Sequence, residues 1–274
     1  MSGYAATDGQ AYERSMGRWS RRLAEPFLDA VALPRGAAVL DAGCGTGALA
    51  EALAARDPAL RITGIDISGP FLGAARTRVP AATFRQGDIA RLPDPDASFD
   101  AALSLLVLQF VPDRPAAVAE LARVTRPGGI VAAAMWDFTG GFPFLRAFAD
   151  SVAAAEPDGE AFRARYFGDP VGTPGRLAAL FAGAGLHDVT ERDIMIRQDF
   201  ADFADWWEPW LTGQGIAGAF VAALPPERLP RVEALARRAY LAGGADGPRS
   251  FVAGSRRRPW RPDGRSRGAR AARC

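Results

Sequence analysis

The chain contains no lysine; all 33 of its basic residues are arginine. It has one histidine, His187, which excludes a metal site built from several imidazoles. Its two cysteines, Cys44 and Cys274, stand far apart in unlike surroundings. They provide neither a disulfide framework nor metal-ligand spacing, so no metal is expected. The longest apolar run, Ala101 to Val111, is too short to cross a bilayer. The first residues lack the basic, then apolar, then small-residue order of a secretory leader. These absences predict a soluble, cytoplasmic protein with no membrane partner.

The net charge of +2 conceals a division. Residues 254–274 hold eight arginines against one acid, Asp263, and carry +7, which leaves residues 1–253 at −5. A mildly acidic body has no basic footprint for a specific nucleic-acid partner. The 254–274 segment is low in complexity (Arg, Gly, Pro, Ser and Ala) and is expected to be a disordered tail. With 49% apolar and 23% charged residues, the 274-residue chain can bury the core of one large α/β domain with room for a lid.

What is present is an alternation. From Ala11 the leader reads as a helix, with Met16, Trp19, Leu23 and Phe27 on one face and Pro26 as its expected end. Strands are then predicted at 37–42, 61–66, 83–86, 99–106 and 130–136, with helices at 48–56, 71–78 and 115–124 between them. Such βαβ units define a parallel sheet covered on both faces. Residues 138–173 and 200–242 break the rhythm as aromatic-rich helical insertions. They are separated by a helix at 174–184 and a strand at 189–196. Ser250 to Ala253 begins like a last antiparallel strand but runs into Arg256-Arg257-Arg258-Pro259, so that strand is expected to be truncated.

The sharpest local signal is Val39-Leu40-Asp41-Ala42-Gly43-Cys44-Gly45-Thr46-Gly47, a strand, a glycine turn and a helix start. Glycines let backbone approach a ligand, and the helix behind them presents free N–H groups. Asp41 can meet a positively charged ligand group such as an ammonium. The same spacing also fits a dinucleotide site, and so does Asp66 at the end of the second strand, where an acid can accept from ribose hydroxyls. Gly87-Asp88-Ile89 after the third strand favours a different adenosine ligand, with a carboxylate for the adenine amino group and Ile89 packed on its ring.

Together VLDAGCGTG at 39–47, GIDIS at 64–68, GDIARLP at 87–93, FDAALSLLVLQFV at 99–111 and LARVTRPGGIVAAAMWD at 121–137 resemble class I S-adenosylmethionine-dependent methyltransferases. The resemblance is strongest to the group similar to ubiquinone/menaquinone-biosynthesis methyltransferases and covers about residues 10 to 250. It implies a Rossmann-like, doubly wound, mostly parallel sheet with a helical lid. Its domains would be a helical cap at 1–32, a methyltransferase domain at 33–253 and the tail at 254–274. It implies S-adenosylmethionine as cofactor, held by Asp41, Gly43, Gly45, Gly47, Asp66, Ile67, Asp88, Ile89 and Leu105, with Tyr12 and Arg18 closing over it. Gln109, Trp206 and Trp210 are candidates for contact with a small, hydrophobic or aromatic acceptor. The aromatics Phe142, Phe144, Phe148, Phe200, Phe203 and Trp207 lie in the same insertions. No general base is evident. An NAD-dependent oxidoreductase and a nonenzymatic S-adenosylmethionine binder are the alternatives.

Overall fold

The structure is a computed structural model in which residues 8–168, 171–253 and 270–273 are described, the last four as backbone only. The leader forms α1 (Gly9–Tyr12), a π turn (Glu13–Gly17) and α2 (Arg18–Asp29). The Asp8 carboxylate caps α1 by accepting from the amides of Gln10 and Ala11. Pro26 does not end α2 as expected. One lost backbone bond is outweighed by the burial of Phe27 and Leu28, which lie in the core beyond it.

The strand–helix alternation follows as β1 (Ala38–Ala42), α3 (Ala48–Arg56), β2 (Arg61–Asp66), α4 (Gly69–Arg78), β3 (Thr83–Gln86), β4 (Phe99–Leu105), α5 (Arg114–Val124) and β5 (Thr125–Met135). Ser68 caps α4 and Asp113 caps α5, each followed by proline in the first turn. The insertions supply α6 (Pro143–Ala155) and α7 (Gly159–Phe167), then α8 (Arg176–Gly183), β6 (Thr190–Asp193) and β7 (Ile196–Phe200). After these come α9 (Phe203–Trp207), a 3-10 turn (Glu208–Thr212), α10 (Gly215–Ala222), α11 (Leu229–Leu241), β8 (Arg249–Ala253) and β9 (Arg270–Arg273).

The main sheet has the order β3-β2-β1-β4-β5-β9-β6, and every pairing in it is parallel. Because parallel crossovers are right-handed, running β1→β2→β3 one way and β4→β5 the other puts α3 and α4 on one face and α5 on the opposite face. This is the doubly wound, Rossmann-like fold. The direction reverses between β1 and β4, which opens a crevice at their carboxyl ends.

The C-terminal part differs from its sequence reading in three ways. The single strand expected at 189–196 is two, β6 in the main sheet and β7 outside it. The strand begun at Ser250 does not join the main sheet. It pairs antiparallel with β7 as a separate two-stranded ribbon, Phe200 opposite Arg249 and Ile196 opposite Ala253. The tail is not disordered throughout: β9 lies between β5 and β6, with Arg270 opposite both Ala132 and Thr190. Two facing strand edges offer unpaired N–H and C=O groups, and any extended backbone satisfies them whatever its side chains. The rest of the expected tail, 254–269 and 274, lies outside the described residues.

Candidate active site

The glycine turn after β1 folds back onto β2. The amides of Gly43 and Cys44 both donate to the Ile65 carbonyl, at 2.7 and 3.0 Å. Gly43 has φ +77°, and a Cβ there would stand 2.5 Å from the Val107 side chain. At Gly47, φ is +87° and a Cβ would meet Ala75 of α4 at 3.2 Å, so glycine allows α3 and α4 to pack closely. Between them, the Gly45 amide donates to Asp66 Oδ2 at 2.9 Å, and the Ser68 amide donates to Oδ1 at 2.8 Å. Burial raises the Asp66 carboxyl above its ordinary range, against the lowering effect of the Ser68, Gly45 and Ile67 amides. Each oxygen of Asp66 thus accepts at least one backbone amide and keeps further acceptor capacity.

A cavity of about 390 Å³ opens at this point, above the carboxyl ends of β1, β2, β3 and β4. It brings together nine of the fourteen cofactor and acceptor candidates, Tyr12, Gly43, Gly45, Asp66, Ile67, Asp88, Ile89, Leu105 and Trp210, together with Phe142 of the insertion aromatics. Ile67 is 66% exposed although it is a large β-branched hydrophobe, which fits a wall that a flat ligand covers. Asp88 bends the chain after β3, its Oδ1 accepting from the Ala90 amide at 2.9 Å, and brings buried Ile89 to the same wall. Tyr12 packs on Phe71 at 5.0 Å between ring centroids, with its hydroxyl 3.1 Å from Ser20 Oγ.

Five candidates stand elsewhere. Asp41 is 1% exposed and does not line the cavity. Gly47 lies behind the wall in the α3–α4 contact. Arg18 pairs with Asp205 Oδ1 at 2.7 Å and lies over the Trp19 and Phe200 rings. Gln109 accepts the Val171 amide at 2.7 Å, fastening the segment after α7 to the end of β4. Trp206 is 1% exposed in the core, because the chain tightens from α9 into a 3-10 turn and only Trp210 reaches the wall.

The sequence reading missed Ser15 and Met16 on the leader, Leu106, Val107 and Phe110 after β4, and Trp136, Tyr166 and Ile216 on the insertion side. Leu106 has φ +66°, a left-handed conformation unfavourable for a side-chain-bearing residue. Its amide donates to Ala134 O at 2.8 Å. Phe148 stacks behind Trp210 at 4.5 Å, and Trp136 and Phe142, both on the wall, stack on each other at 4.6 Å. Phe144, Phe200, Phe203 and Trp207 are buried without lining the cavity, so most of the aromatics form a rigid backing.

This fold and glycine turn define a nucleotide-type binding protein of the doubly wound class. Residues 40–133 match the family model described as methyltransferase domain. Over 208 residues, 75% of this chain and 78% of the relative, it is 35% identical to trans-aconitate 2-methyltransferase of Variovorax paradoxus (strain S110). Over 127 residues it is 39% identical to malonyl-[acyl-carrier protein] O-methyltransferase of Serratia marcescens. That second match takes in 44% of this chain and 49% of the relative, so the chain spans about half the length of that protein. Among solved structures, a methyltransferase-like protein from Bacillus halodurans C-125 superimposes with a TM-score of 0.54 at 17% identity, covering 84% of this chain and 94% of that one. Haemonchus contortus phosphoethanolamine N-methyltransferase 2, solved with phosphomonomethylethanolamine and S-adenosylhomocysteine, gives 0.52 at 17% identity, covering 89% and 56%. These two likenesses bear on the fold alone.

The chain belongs to the class I S-adenosylmethionine-dependent methyltransferases. Its cofactor is S-adenosylmethionine, and the dinucleotide reading is set aside. The residues present fit that group: a side-chain-free turn at Gly43 and Gly45, spare acceptor capacity on Asp66 and an uncovered apolar surface at Ile67.

Proposed function

We propose that this chain methylates a small, apolar acceptor that presents a single anionic oxygen, such as an aromatic or aliphatic monocarboxylate or an acidic hydroxyl. The observation that carries the reading is the make-up of the cavity wall. Its described lining residues include no Arg and no His, and its acids, Asp66 and Asp88, stand at the cofactor end. The acceptor end is built from residues such as Phe110, Trp136, Phe142, Leu145 and Trp210. An acceptor with several carboxylates would be desolvated there with nothing on the protein to pair it.

In this reading Asp66 holds the ribose, Asp88 and Ile89 the adenine with Ile67 on the opposite side, and the turn at Gly43 and Gly45 the amino-acid end. Tyr12, Ser15 and Met16 cover it. Bound there, the cofactor supplies a methyl group already activated by a positive sulfonium. The protein's task is alignment and exclusion of water. The phenols on the wall cannot serve as bases, because burial raises both Tyr12 and Tyr166 above their ordinary range and keeps them protonated. The acceptor must therefore arrive already ionised, and the cofactor's charge is its counter-ion.

A methyl-transfer assay over an acceptor panel tests this. Apolar monocarboxylates and acidic phenols are expected to turn over, with trans-aconitate at least about 100-fold lower in kcat/KM, as expected for burying unpaired carboxylates. The pH profile should follow the acceptor's own pKa and level off above it, with no second inflection from an enzyme base. Comparable turnover of trans-aconitate would overturn the reading in favour of the activity named for the Variovorax relative.

A further inference from the structure

The leader that covers the cavity is fastened at a point outside the cavity wall. Glu13, the first residue of the π turn, accepts from Thr46 Oγ1 at 2.5 Å, and Thr46 lies inside the glycine turn, between Gly45 and Gly47. Arg78, at the end of α4, closes the group. Its Nη2 lies 2.9 Å from Glu13 Oε2, and its Nη1 donates to Glu13 Oε1 at 3.0 Å and to Thr46 O at 2.8 Å. Arg21 of α2 also pairs with Glu13. The carboxylate is 18% exposed, Arg78 19% and Thr46 2%, so the cluster is largely shielded from solvent.

The local backbone serves this contact. A π turn inserts one residue into the helical ladder and rotates what precedes it. Here Glu13 faces the glycine turn while Tyr12, Ser15 and Met16 line the cavity. Gly17 leaves room for the arrangement, since a Cβ there would stand 2.6 Å from Glu13 Oε1. Beyond the turn, Arg18 has its own anchor on Asp205, with Nη1 on the carboxylate and Nη2 donating to the Asp205 carbonyl at 3.2 Å.

We propose that Glu13 and Thr46 form a latch that clamps the leader to the glycine turn and thereby sets how long the cofactor stays bound. Both are positioning residues that act through Tyr12, Ser15, Met16 and the turn at Gly45. The inference rests on the cofactor seat proposed above. Cutting the latch frees residues 9–17, while the Arg18–Asp205 anchor keeps α2 docked.

The test is calorimetric titration and stopped-flow dissociation of S-adenosylhomocysteine, with hydrogen exchange of leader peptides, on the full chain. Glu13→Gln and Thr46→Val are each expected to weaken binding about tenfold, mainly through faster release, as for loss of one charge-assisted hydrogen bond. Exchange should rise at residues 9–17 and not at 19–28. Thr46→Ser keeps the hydroxyl and should bind like the wild type, and the double variant should be no weaker than either single one. Wild-type affinity and release rate in both Glu13→Gln and Thr46→Val would overturn the latch, and so would fully additive losses. If the wild type itself fails to bind, the cofactor seat falls first, and the wild-type trace alone reveals it.

Discussion

Asp66→Ala is expected to abolish measurable binding of S-adenosylmethionine and S-adenosylhomocysteine, a loss of at least about 100-fold, while the protein still folds. The size follows from what the carboxylate does. Its two oxygens hold the Gly45 and Ser68 amides at 2.9 and 2.8 Å, and so tie the glycine turn to the end of β2. The acceptor capacity left over faces two hydroxyls in the proposed seat. Hydrogen bonds to a charged group are worth about 1.5–3 kcal/mol each, so losing two removes two or more orders of magnitude in affinity. Asp66→Asn separates the parts, because it keeps the shape and one acceptor oxygen but gives up the charge, and it should lose about tenfold. Calorimetry with both ligands, alongside a thermal melt, measures this. Near-normal binding by a folded Asp66→Ala protein would mean that the cofactor sits elsewhere.

Asp41→Asn should make the cofactor-free protein more stable at pH 8 and no more stable at pH 4. Asp41 is 1% exposed, and among the described residues neither of its oxygens makes a hydrogen bond of ordinary geometry. Burial pushes its carboxyl from 3.8 to about 7, helped by the negative charge of Asp66, and the nearby Ala50 amide offsets this only weakly. The folded state therefore holds the proton more tightly than the unfolded chain. The stability linked to that proton is complete below pH 4 and is lost as pH rises through about 7. At about 1.36 kcal/mol per pH unit, the penalty above neutral pH is on the order of 4 kcal/mol. Asparagine is close in shape and carries no charge, so it escapes that penalty. Thermal or urea melts of both proteins from pH 4 to pH 8 would show the curves diverging upward in pH. Parallel curves would mean that Asp41 is ionised at little cost.

Much of the fold was legible in the sequence because its signals are local. Val39 to Ala42, apolar but for Asp41, and Ala101 to Leu105, apolar but for Ser104, read as short strands buried on both faces, and Gly43, Gly45 and Gly47 mark the turn. Asp66 and Asp88 were legible by their place, each at or just beyond a strand's carboxyl end. What was hidden depends on partners distant in sequence. Arg18 looks like a ligand group until Asp205 is seen beside it, and Gln109 like a substrate contact until the Val171 amide is. Trp206 and Trp210 still touch edge to face at 6.2 Å, but the chain passes into a 3-10 turn after Trp207 and only Trp210 lines the cavity. The π turn at Glu13–Gly17 has no signature in a 3.6-residue period, since Thr46, Arg78 and Arg21 hold it in place. The ribbon of β7 and β8 was hidden for the same reason: alternation marks a strand but does not name its neighbour.

The indoles on the cavity wall also have an optical consequence. Trp136 and Trp210 line the proposed acceptor side, each stacked on a phenyl ring, whereas Tyr12 is the phenol over the proposed cofactor seat. The protein thus carries a built-in fluorophore at one end of its cavity and nearly none at the other. Acceptors entering the apolar chamber should shift or quench the intrinsic emission, while cofactor alone should leave it almost unchanged. An unlabelled titration can then rank acceptors by occupancy before any of them is turned over.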